Sequence, residues 1–591
     1  MRWWDDRRFQ FGLIALMTTA ILLFAIQLLA VVVTGLIIGR QPPRLHMGEY
    51  ALLWVSPHPS TITGLPGTDV LHWVVVLVLL AVVVLGTVLA ARSVLAWRRN
   101  PQNRPGLVST KQALNEMGAR ALTQPSRANN LRPKTSNPTL GDVSVPLGSY
   151  RGVDLYACVE DPVIIIGPSG AGKGLRLVIR WIMQAVGAVV ATSLKFDNVD
   201  LTLRERERQG SVCWIFAPGM PDGESRGHVL RWNPIPGCES EDTLLRRVKT
   251  LVPADAFGGG TTNGGHWDTL GQQLVGCLFH AAALGGKSVD TIWDDWVMNP
   301  VRAKEAAEII RHHPQGVRSM AEMLNTTLNE PVDKLATSWS TLKTSLAFLE
   351  SASVRSWLKP LPGQEFDFAD FVLDKQTLYV VAKEDLPKAY LHVSEALIAE
   401  LDYTIDGLAN AMGGRCDPPV MYMLDEAANF KIKRLPELIS AGRGLGKQTV
   451  AVFQSRSQME AWGKEAERAM FDAAALRIIL PGGADFSQLE EMANLAGTFE
   501  RTRTSQTHSA SGSSTSTSEE EKKIIRADEL RTLKAEYALV FYRRLKPLIV
   551  KLPTFFSLPH INRMLADQKQ LASTIAKESP YAVKLKERGL A

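Results

Sequence analysis

The chain begins with two long apolar runs and continues with short apolar runs set among polar and helical segments. No ionisable residue occurs from Phe11 to Ile38 or from Trp73 to Ala91. Each run reaches the roughly 20 residues that a helix needs to cross a bilayer. The pattern therefore predicts two transmembrane helices, at about 11–38 and 71–91, in a transmembrane domain of residues 1–98.

A cleaved signal peptide is an alternative explanation for the first run, because arginines precede it. Signal cores are shorter and end at a small-residue cleavage site, which the sequence Gly39-Arg40-Gln41-Pro42-Pro43 does not offer. We therefore favour an uncleaved helical hairpin.

The basic residues predict the orientation of this hairpin. The loop between the runs carries chiefly Arg40 and Arg44. The flanking segments contain more basic residues. Arg2, Arg7 and Arg8 precede the first run, and nine basic residues follow the second run, between positions 92 and 134. The positive-inside rule then predicts a multi-pass protein of the cytoplasmic (inner) membrane with both termini cytoplasmic. The basic stretch could also attract nucleic acid, but an anionic leaflet explains it equally well, and we favour the leaflet.

Eight short apolar runs beyond residue 145 alternate with helical stretches, which predicts an α/β fold with a parallel sheet wrapped in helices. The strand signal stops between about 241 and 359, so we expect an inserted all-α domain there. Residues 99–145 are predicted as a linker or collar, 501–520 as a flexible loop and 559–591 as a tail. The eight predicted strands are 163–166, 188–192, 212–216, 377–381, 420–424, 449–453, 476–480 and 537–541.

Composition narrows the class of protein. The 591 residues, of which 46% are hydrophobic and 21% charged, exclude a small isolated module and a mostly disordered chain. The five cysteines are scattered and form no CxxC pair, so neither a disulfide framework nor a zinc site is indicated. A net charge of +6 is too small to indicate nucleic-acid binding by itself.

The clearest chemical motif follows the first of these strands, where a glycine-rich loop leads into a helical segment. Glycines let backbone N–H groups turn towards phosphates, and Lys173 can reach the β- and γ-phosphate oxygens of ATP. A plain strand-to-helix turn is the less favoured alternative. Gly174 stands where Ser or Thr normally offers a hydroxyl to Mg²⁺, so the metal needs water or another ligand there. The predicted nucleotide-binding residues are Gly167, Pro168, Ser169, Gly170, Ala171, Gly172, Lys173 and Gly174.

A second motif is the pair Asp425-Glu426 at the end of an apolar strand. Ligands bind at the carboxyl ends of strands in open α/β sheets. Asp425 is suited to hold Mg²⁺, and Glu426 to polarise the water that attacks the γ-phosphate. Such a pair alone is often only a solvated turn, but together with the glycine-rich loop it indicates ATP hydrolysis.

Two further catalytic candidates carry weaker signals. Gln454 ends the strand 449–453 and could sense the γ-phosphate, or it could simply close the strand. Arg443 lies in a glycine-rich segment and could act as an arginine finger towards a neighbouring subunit, or it could be a solvated loop residue.

Together these features resemble the VirD4/TraG family of type IV coupling proteins, over almost the whole chain. Ser193-Leu194-Lys195-Phe196-Asp197 matches the family's DxKGE segment only loosely. Gly174 itself agrees with a common variant of the family's loop. The resemblance is carried by the two apolar runs, the Gly167 to Gly174 loop, Trp232-Asn233-Pro234, Leu424-Asp425-Glu426-Ala427, Gly442-Arg443, Gln454 and the polar loop before Arg526 to Leu530.

The resemblance implies a RecA-like P-loop motor, formed by residues 146–240 and 360–558 with the all-α domain 241–359 inserted, that assembles as a homo-hexamer. It further implies that ATP and Mg²⁺ drive transfer of single-stranded DNA, bound to a relaxase, to a type IV secretion channel. Lys173, Asp425 and Glu426 would then carry hydrolysis.

Two other functions share the same motor. A type IV secretion receptor for protein substrates would differ in its helical domain. A double-stranded DNA pump of the FtsK/SpoIIIE kind usually has four spans and a winged-helix tail, which makes it less favoured. An ABC-type transporter is excluded by the lack of a serine-rich signature motif.

The hairpin model predicts that the segment between the two apolar runs lies outside the cytoplasm. A reporter active only outside the cytoplasm, fused after Gly64, should therefore be active, whereas the same reporter fused after residue 134 should be silent. A cytosolic location for the Gly64 fusion would contradict the hairpin model.

Overall fold

The computed structural model describes residues 7–252, 264–364, 366–383, 388–509, 512–578 and 582–589. The chain divides into two compact units. The first contains Met1–Arg104 and Glu500–Lys522, and the second contains Pro105–Phe499 and Lys523–Ala591.

Four helices form the N-terminal part of the first unit: α1 (Arg7–Ile37), α2 (Met47–Leu52), α3 (Pro59–Thr63) and α4 (Asp69–Arg99). Two of their segments, Met17–Ile37 and Asp69–Arg99, are long and apolar enough to cross a membrane. Large side chains such as Ile21 and Leu77 are exposed on them, and a bilayer core would cover such surfaces. Of the basic residues used to predict the orientation, Arg2 lies outside the described residues.

A buried polar pair joins α1 to α4. His72 Nε2 and Gln27 Oε1 lie 3.0 Å apart, and neither side chain is accessible to solvent. Ile26, Ala30 and Val76 pack at the same interface. Because a polar group away from water needs a hydrogen-bond partner, this pair restricts rotation of one helix against the other.

A twelve-stranded sheet forms the body of the second unit, in the order β2-β1-β14-β13-β10-β3-β9-β8-β4-β7-β5-β6. The eight strands from β10 to β6 all pair in parallel. The strands at the other end pair antiparallel. The strands are β1 (Ser144–Tyr150), β2 (Val153–Cys158), β3 (Val163–Ile166), β4 (Val189–Ser193), β5 (Cys213–Phe216), β6 (His228–Val229), β7 (Thr377–Val381), β8 (Val420–Leu424), β9 (Lys447–Phe453), β10 (Leu476–Ile479), β13 (Tyr537–Tyr542) and β14 (Leu548–Lys551), with β11 (Thr498–Ser509) and β12 (Gly512–Lys523) forming a separate sheet.

The predicted α/β fold is confirmed, and each of the eight predicted strands has a counterpart. The prediction that all of them run parallel is wrong for 537–541. There β13 runs antiparallel to β10 and continues through a short turn into β14, a connection that only antiparallel neighbours permit. The strand β1 was not predicted, because Pro146 and Gly148 interrupt its strand pattern; both residues coincide with an irregularity in the pairing.

Helices cover the sheet and fill the segments between its strands. Before β1 come α5 (Thr110–Met117), α6 (Ala119–Leu122), α7 (Pro125–Leu131) and α8 (Leu140–Val143). A π-helical turn at Gly174–Val178 continues into α9 (Ile179–Gln184), and α10 (Asp197–Arg208) follows β4. The later helices are α11 (Glu241–Leu251), α12 (Gly264–Leu284), α13 (Lys304–His312), α14 (Arg318–Leu328), α15 (Val332–Ser345), α16 (Ala352–Trp357), α17 (Phe368–Leu373), α18 (Lys388–Ala411), α19 (Ala427–Phe430), α20 (Leu435–Ala441), α21 (Lys464–Ala473), α22 (Phe486–Ala496), α23 (Ala527–Arg531), α24 (Ile561–Glu578) and α25 (Ala582–Glu587).

The prediction of a linker or collar at 99–145 did not include the helices of that segment. Residues 110–143 form α5 to α8, whose apolar residues Met117, Leu122 and Leu131 are buried. Leu122 and Leu131 pack with Val143 and with Cys158 of β2. The many Pro, Asn and Arg residues start, end and flank these short helices, which explains why composition alone suggested a linker.

Between β6 and β7 the described part of the chain contains helices but no strand. Buried tryptophans, among them Trp296, Trp339 and Trp357, contribute to the packing of this segment. These residues belong to the same compact unit as the sheet. A separate all-α domain bounded at 241 and 359 therefore remains a prediction.

The prediction of a flexible loop at 501–520 is wrong. Residues 501–509 and 512–520, the described part of that segment, fall in β11 and β12, which pair as a two-stranded sheet. The loop was predicted because the segment has almost no apolar side chain. Threonine favours extended backbone, and strand pairing satisfies main-chain N–H and C=O groups without an apolar core.

The segment 559–591, predicted only as a tail, contains α24 and α25, and α24 packs on α10. Arg208 of α10 holds Asp567 of α24 through two hydrogen bonds, of 2.7 and 2.8 Å. Arg563 in turn contacts the buried carboxylate of Glu205. Beneath these ion pairs lies an apolar cluster of Ile179, Met183, Leu201, Phe555 and Met564.

Candidate nucleotide site

The candidate site lies where three neighbouring parallel strands, β3, β9 and β8, reach their carboxyl ends. Ile166 of β3 lies opposite Phe453 of β9, and Gly167 N donates to Phe453 O at 3.0 Å. Leu424 of β8 pairs with Ala451 of β9. The glycine-rich loop, Gln454 and the Asp425-Glu426 pair therefore leave the sheet at the same edge.

The glycine-rich loop depends on glycine at specific positions. Gly170 and Gly172 have φ angles of 78° and 85°, in the left-handed region that glycine adopts without strain. A Cβ atom on Gly167 would lie 2.8 Å from the Cβ of Leu480, so this position has no room for a side chain. The loop then enters the helix at Gly174, in the order of strand, loop and helix that is typical of phosphate-binding loops.

Lys173 is buried inside this loop. Its Nζ donates to Gly167 O at 2.7 Å and to Pro168 O at 3.1 Å. Burial lowers the pKa of Lys173, while the negative charges of Glu426 and Asp425 oppose that shift. The ammonium group therefore lies in the electrostatic field of both predicted acidic residues.

Asp425 is held by neighbours on β4, α10 and its own backbone. Its carboxylate accepts from Asn198 Nδ2 and from Glu426 N, each at 3.2 Å, and Thr192 Oγ1 donates to its main-chain oxygen at 3.0 Å. Desolvation raises the pKa of Asp425 to about 6. A carboxylate whose charge is poorly compensated is a suitable oxygen ligand for a divalent cation.

Glu426 has a φ of 52°, which is unusual for a residue other than glycine. Gln454 Nε2 donates to Glu426 Oε2 at 3.0 Å. The backbone N of Gln454 donates to Gln458 Oε1 at 2.8 Å, so both its backbone and its side chain are held. The structure thus joins two predicted catalytic residues and fixes the direction of the Glu426 carboxylate.

Thr192 and Asn198, the two residues that position Asp425, were not predicted from the sequence. Thr192 lies on β4, directly beside β8 in the sheet. One signal could have found them: a threonine near the end of an apolar strand, six residues before an asparagine in the first turn of a helix. Without the knowledge that β4 and β8 are neighbours, nothing connects either residue to Asp425.

A Mg²⁺ ion fits this donor set without a dedicated protein cage. The described residues contain no cluster of three or more His, Cys, Asp or Glu side chains that could hold a metal. Magnesium commonly uses one or two carboxylates together with phosphate oxygens and water, and Asp425 can supply the carboxylate. A Cβ atom on Gly174 would meet no atom within 4 Å, so the missing hydroxyl reflects the sequence and not lack of space.

Arg443 lies away from these residues. It precedes β9, at the amino end of the strand, and its Nη2 is 2.5 Å from Oε1 of Glu160, which precedes β3. The glycine-rich loop and the acidic pair lie at the opposite edge of the sheet. The structure therefore does not bring Arg443 to the nucleotide site of its own chain.

Comparison with known proteins places the chain in a family. The family model described as "Type IV secretory system Conjugative DNA transfer" matches residues 112–579, and the chain belongs to this family. Two relatives are the Protein VirD4 of Rhizobium radiobacter, 20% identical over 454 residues, and that of Rhizobium rhizogenes, 21% identical over 453 residues. Each alignment covers 74% of this chain but only 62% and 64% of the respective relative.

The fold is shared with a solved structure. An unbound form of the bacterial conjugative coupling protein TrwBdeltaN70 superposes with a TM-score of 0.50, at 15% identity, over 69% of this chain and 88% of the other. The predicted RecA-like P-loop fold is thereby confirmed.

The raised pKa of Asp425 predicts a gain in stability when its charge is removed. Its usual pKa is 3.8 and burial raises it to about 6, so the folded state holds more protons than the unfolded state between these values. The free energy of unfolding therefore falls as pH rises through this window. We expect Asp425→Asn, without nucleotide or Mg²⁺, to be more stable at pH 7.5 by about 1–2 kcal/mol, with less difference at pH 5.

Urea unfolding at the two pH values measures this difference. Asp154→Asn, which changes an exposed residue of β2, is the matched control and should leave stability unchanged at both. An Asp425→Asn variant no more stable than the parent at pH 7.5 would show that the buried charge is compensated.

Proposed function

We propose that this protein is a membrane-anchored ATPase that couples ATP hydrolysis to transfer of single-stranded DNA, with its relaxase, into a type IV secretion channel. One observation carries the proposal: Lys173, Asp425, Glu426 and Gln454 converge at the carboxyl edge of the sheet in a member of the conjugative DNA transfer family.

In this proposal the backbone N–H groups from Gly167 to Gly174 hold the triphosphate, and Lys173 exchanges its bonds to loop carbonyls for the β- and γ-phosphate oxygens. Mg²⁺, held by Asp425, would supply positive charge at those oxygens. Glu426 accepts a hydrogen bond from the attacking water and polarises it. Gln454 keeps the Glu426 carboxylate in position through the hydrogen bond of 3.0 Å.

The partners proposed for the motor follow from the family and from the two apolar helices. The family description supports DNA and a type IV secretion system as partners. The helices α1 and α4 support anchoring in the cytoplasmic membrane, with both termini and the motor on the cytoplasmic side. We propose that the motor works as a homo-hexamer and contacts DNA mainly through its phosphates, because a transfer motor must accept any sequence.

The DNA-transfer proposal predicts an ATPase that single-stranded DNA stimulates. The full chain in detergent should hydrolyse ATP faster when DNA is added, and Lys173→Ala should abolish hydrolysis, with a loss of at least about 100-fold, because charge stabilisation at the γ-phosphate is removed. Lys569→Ala, which removes an exposed lysine of α24, should keep the activity. Hydrolysis indifferent to DNA but raised by a secreted protein would favour the protein-substrate receptor instead.

The position of Arg443 at the opposite edge of the sheet supports action in trans. If one subunit's Arg443 serves a neighbour's site, mixtures of Arg443→Ala and Lys173→Ala subunits should regain part of the activity that each lacks alone. Mixtures of Lys173→Ala with Glu426→Gln should regain none, because each of these sites is defective in its own subunit. Loss of activity in Glu160→Gln equal to that in Arg443→Ala, with no recovery in mixtures, would instead assign Arg443 a structural role through its ion pair.

A further inference from the structure

A segment that carries an exposed aromatic ring packs against the first turn of the helix that follows the glycine-rich loop. After β14 the chain forms a short helical turn, Phe555–Ser557, which packs against residues 174–178. The Phe556 side chain in this turn is 56% exposed. Its ring stacks on that of Phe555, with ring centres 4.3 Å apart and planes inclined by 29°.

The buried side chain of Phe555 holds the exposed Phe556 ring in place. Only 3% of its side chain is exposed, and it packs with Ile179 and Met183 of α9 and with Met564 of α24. An aromatic ring stacked on a buried neighbour has little freedom to move, so the outer face of Phe556 is presented to solvent in a defined position.

Two arginines of the loop's helix bind the same segment. Arg176 Nη1 donates to Leu552 O at 2.7 Å, and Arg180 Nη1 donates to Thr554 O at 3.2 Å and to Ser557 Oγ at 2.9 Å. The side chain of Arg176 also lies 3.4 Å from the position that a Cβ atom would take on Gly172. A single side chain therefore spans the distance between the glycine-rich loop and this segment.

The glycine-rich loop determines where the rest of a bound nucleotide can go. Lys173 and the acidic pair take the γ-phosphate end, and the backbone cradle holds the α- and β-phosphates as far as the helix start. The sugar and base must then leave the loop near residues 174–176. On that first turn Leu175 presents a second exposed apolar side chain.

We propose that Phe556 is the stacking platform for the base of the nucleotide bound at the glycine-rich loop. The proposal rests on the nucleotide site proposed above and adds the subsite for its base. Apolar, flat and rigid, the outer face of Phe556 suits the face of a purine ring, whereas a phosphate would gain nothing from it.

The test compares a ligand that has a base with one that has none. The full-length protein in detergent is titrated calorimetrically, with Mg²⁺ present, against the non-hydrolysable ATP analogue adenylyl imidodiphosphate and against inorganic tripolyphosphate. Phe556→Ala should raise the Kd of the ATP analogue by about ten-fold, the usual size of one stacking contact, and leave the Kd of tripolyphosphate unchanged. Phe556→Trp should bind the ATP analogue at least as tightly as the parent.

Control measurements distinguish the stacking platform from the proposed nucleotide site on which it rests. Tyr403→Ala, which truncates an aromatic side chain of 50% exposure on α18, should change neither Kd. Equal weakening of both ligands by Phe556→Ala would show that the residue only supports the loop, and no weakening of either would also overturn the platform. If the parent protein binds neither ligand, the nucleotide site itself fails. If Lys173→Ala abolishes binding of both while Phe556→Ala has no effect, only the platform fails.

Discussion

The parallel pairing of β3, β9 and β8 is the constraint on which the rest of this structure depends. Their registers bring Ile166 beside Phe453 and Leu424 beside Ala451, so that three separate segments of chain leave the sheet together. A shift of one residue in either register would turn each strand's side chains to the other face and move Asp425 or Gln454 out of reach. The interleaved Val, Ile and Ala side chains, buried on both faces of the sheet, resist such a shift because any slip would break their packing.

Much of this arrangement could be predicted from the sequence because its signals are local. The eight apolar runs predicted strands, and glycines at 170 and 172 next to Lys173 predicted the phosphate loop, since each depends only on neighbouring residues. The contacts that could not be predicted are those between distant segments. Asn198 and Thr192 become partners of Asp425 only because β4 lies beside β8. The two-stranded sheet of β11 and β12 was not predicted for a different reason. Its strands pair through backbone hydrogen bonds, which need no apolar side chains and so leave no apolar pattern in the sequence.

The site combines local strain with uncompensated charge. Glu426 takes a left-handed backbone conformation, and Asp425 keeps a carboxylate whose desolvation raises its pKa to about 6. Either feature costs stability in the absence of ligand, and packing elsewhere in the sheet offsets that cost. A nucleotide with a divalent cation relieves the second cost by supplying the missing positive charge. Ligand binding and folding stability are therefore linked at this edge of the sheet.

The paired strands lie far apart in the sequence, so they are synthesised at different times. β3 is translated early, but its two neighbours, β9 and β10, follow only after the whole helical segment and β8. At ordinary translation rates this delay lasts on the order of tens of seconds. α24, whose Met564 packs with Ile179 and Met183 of the loop's helix, emerges later still. The apolar helices α1 and α4, by contrast, precede β3 in the chain and leave the ribosome before it. In the membrane-anchored protein proposed above, both spans would therefore be available for insertion long before Lys173 meets its acidic partners.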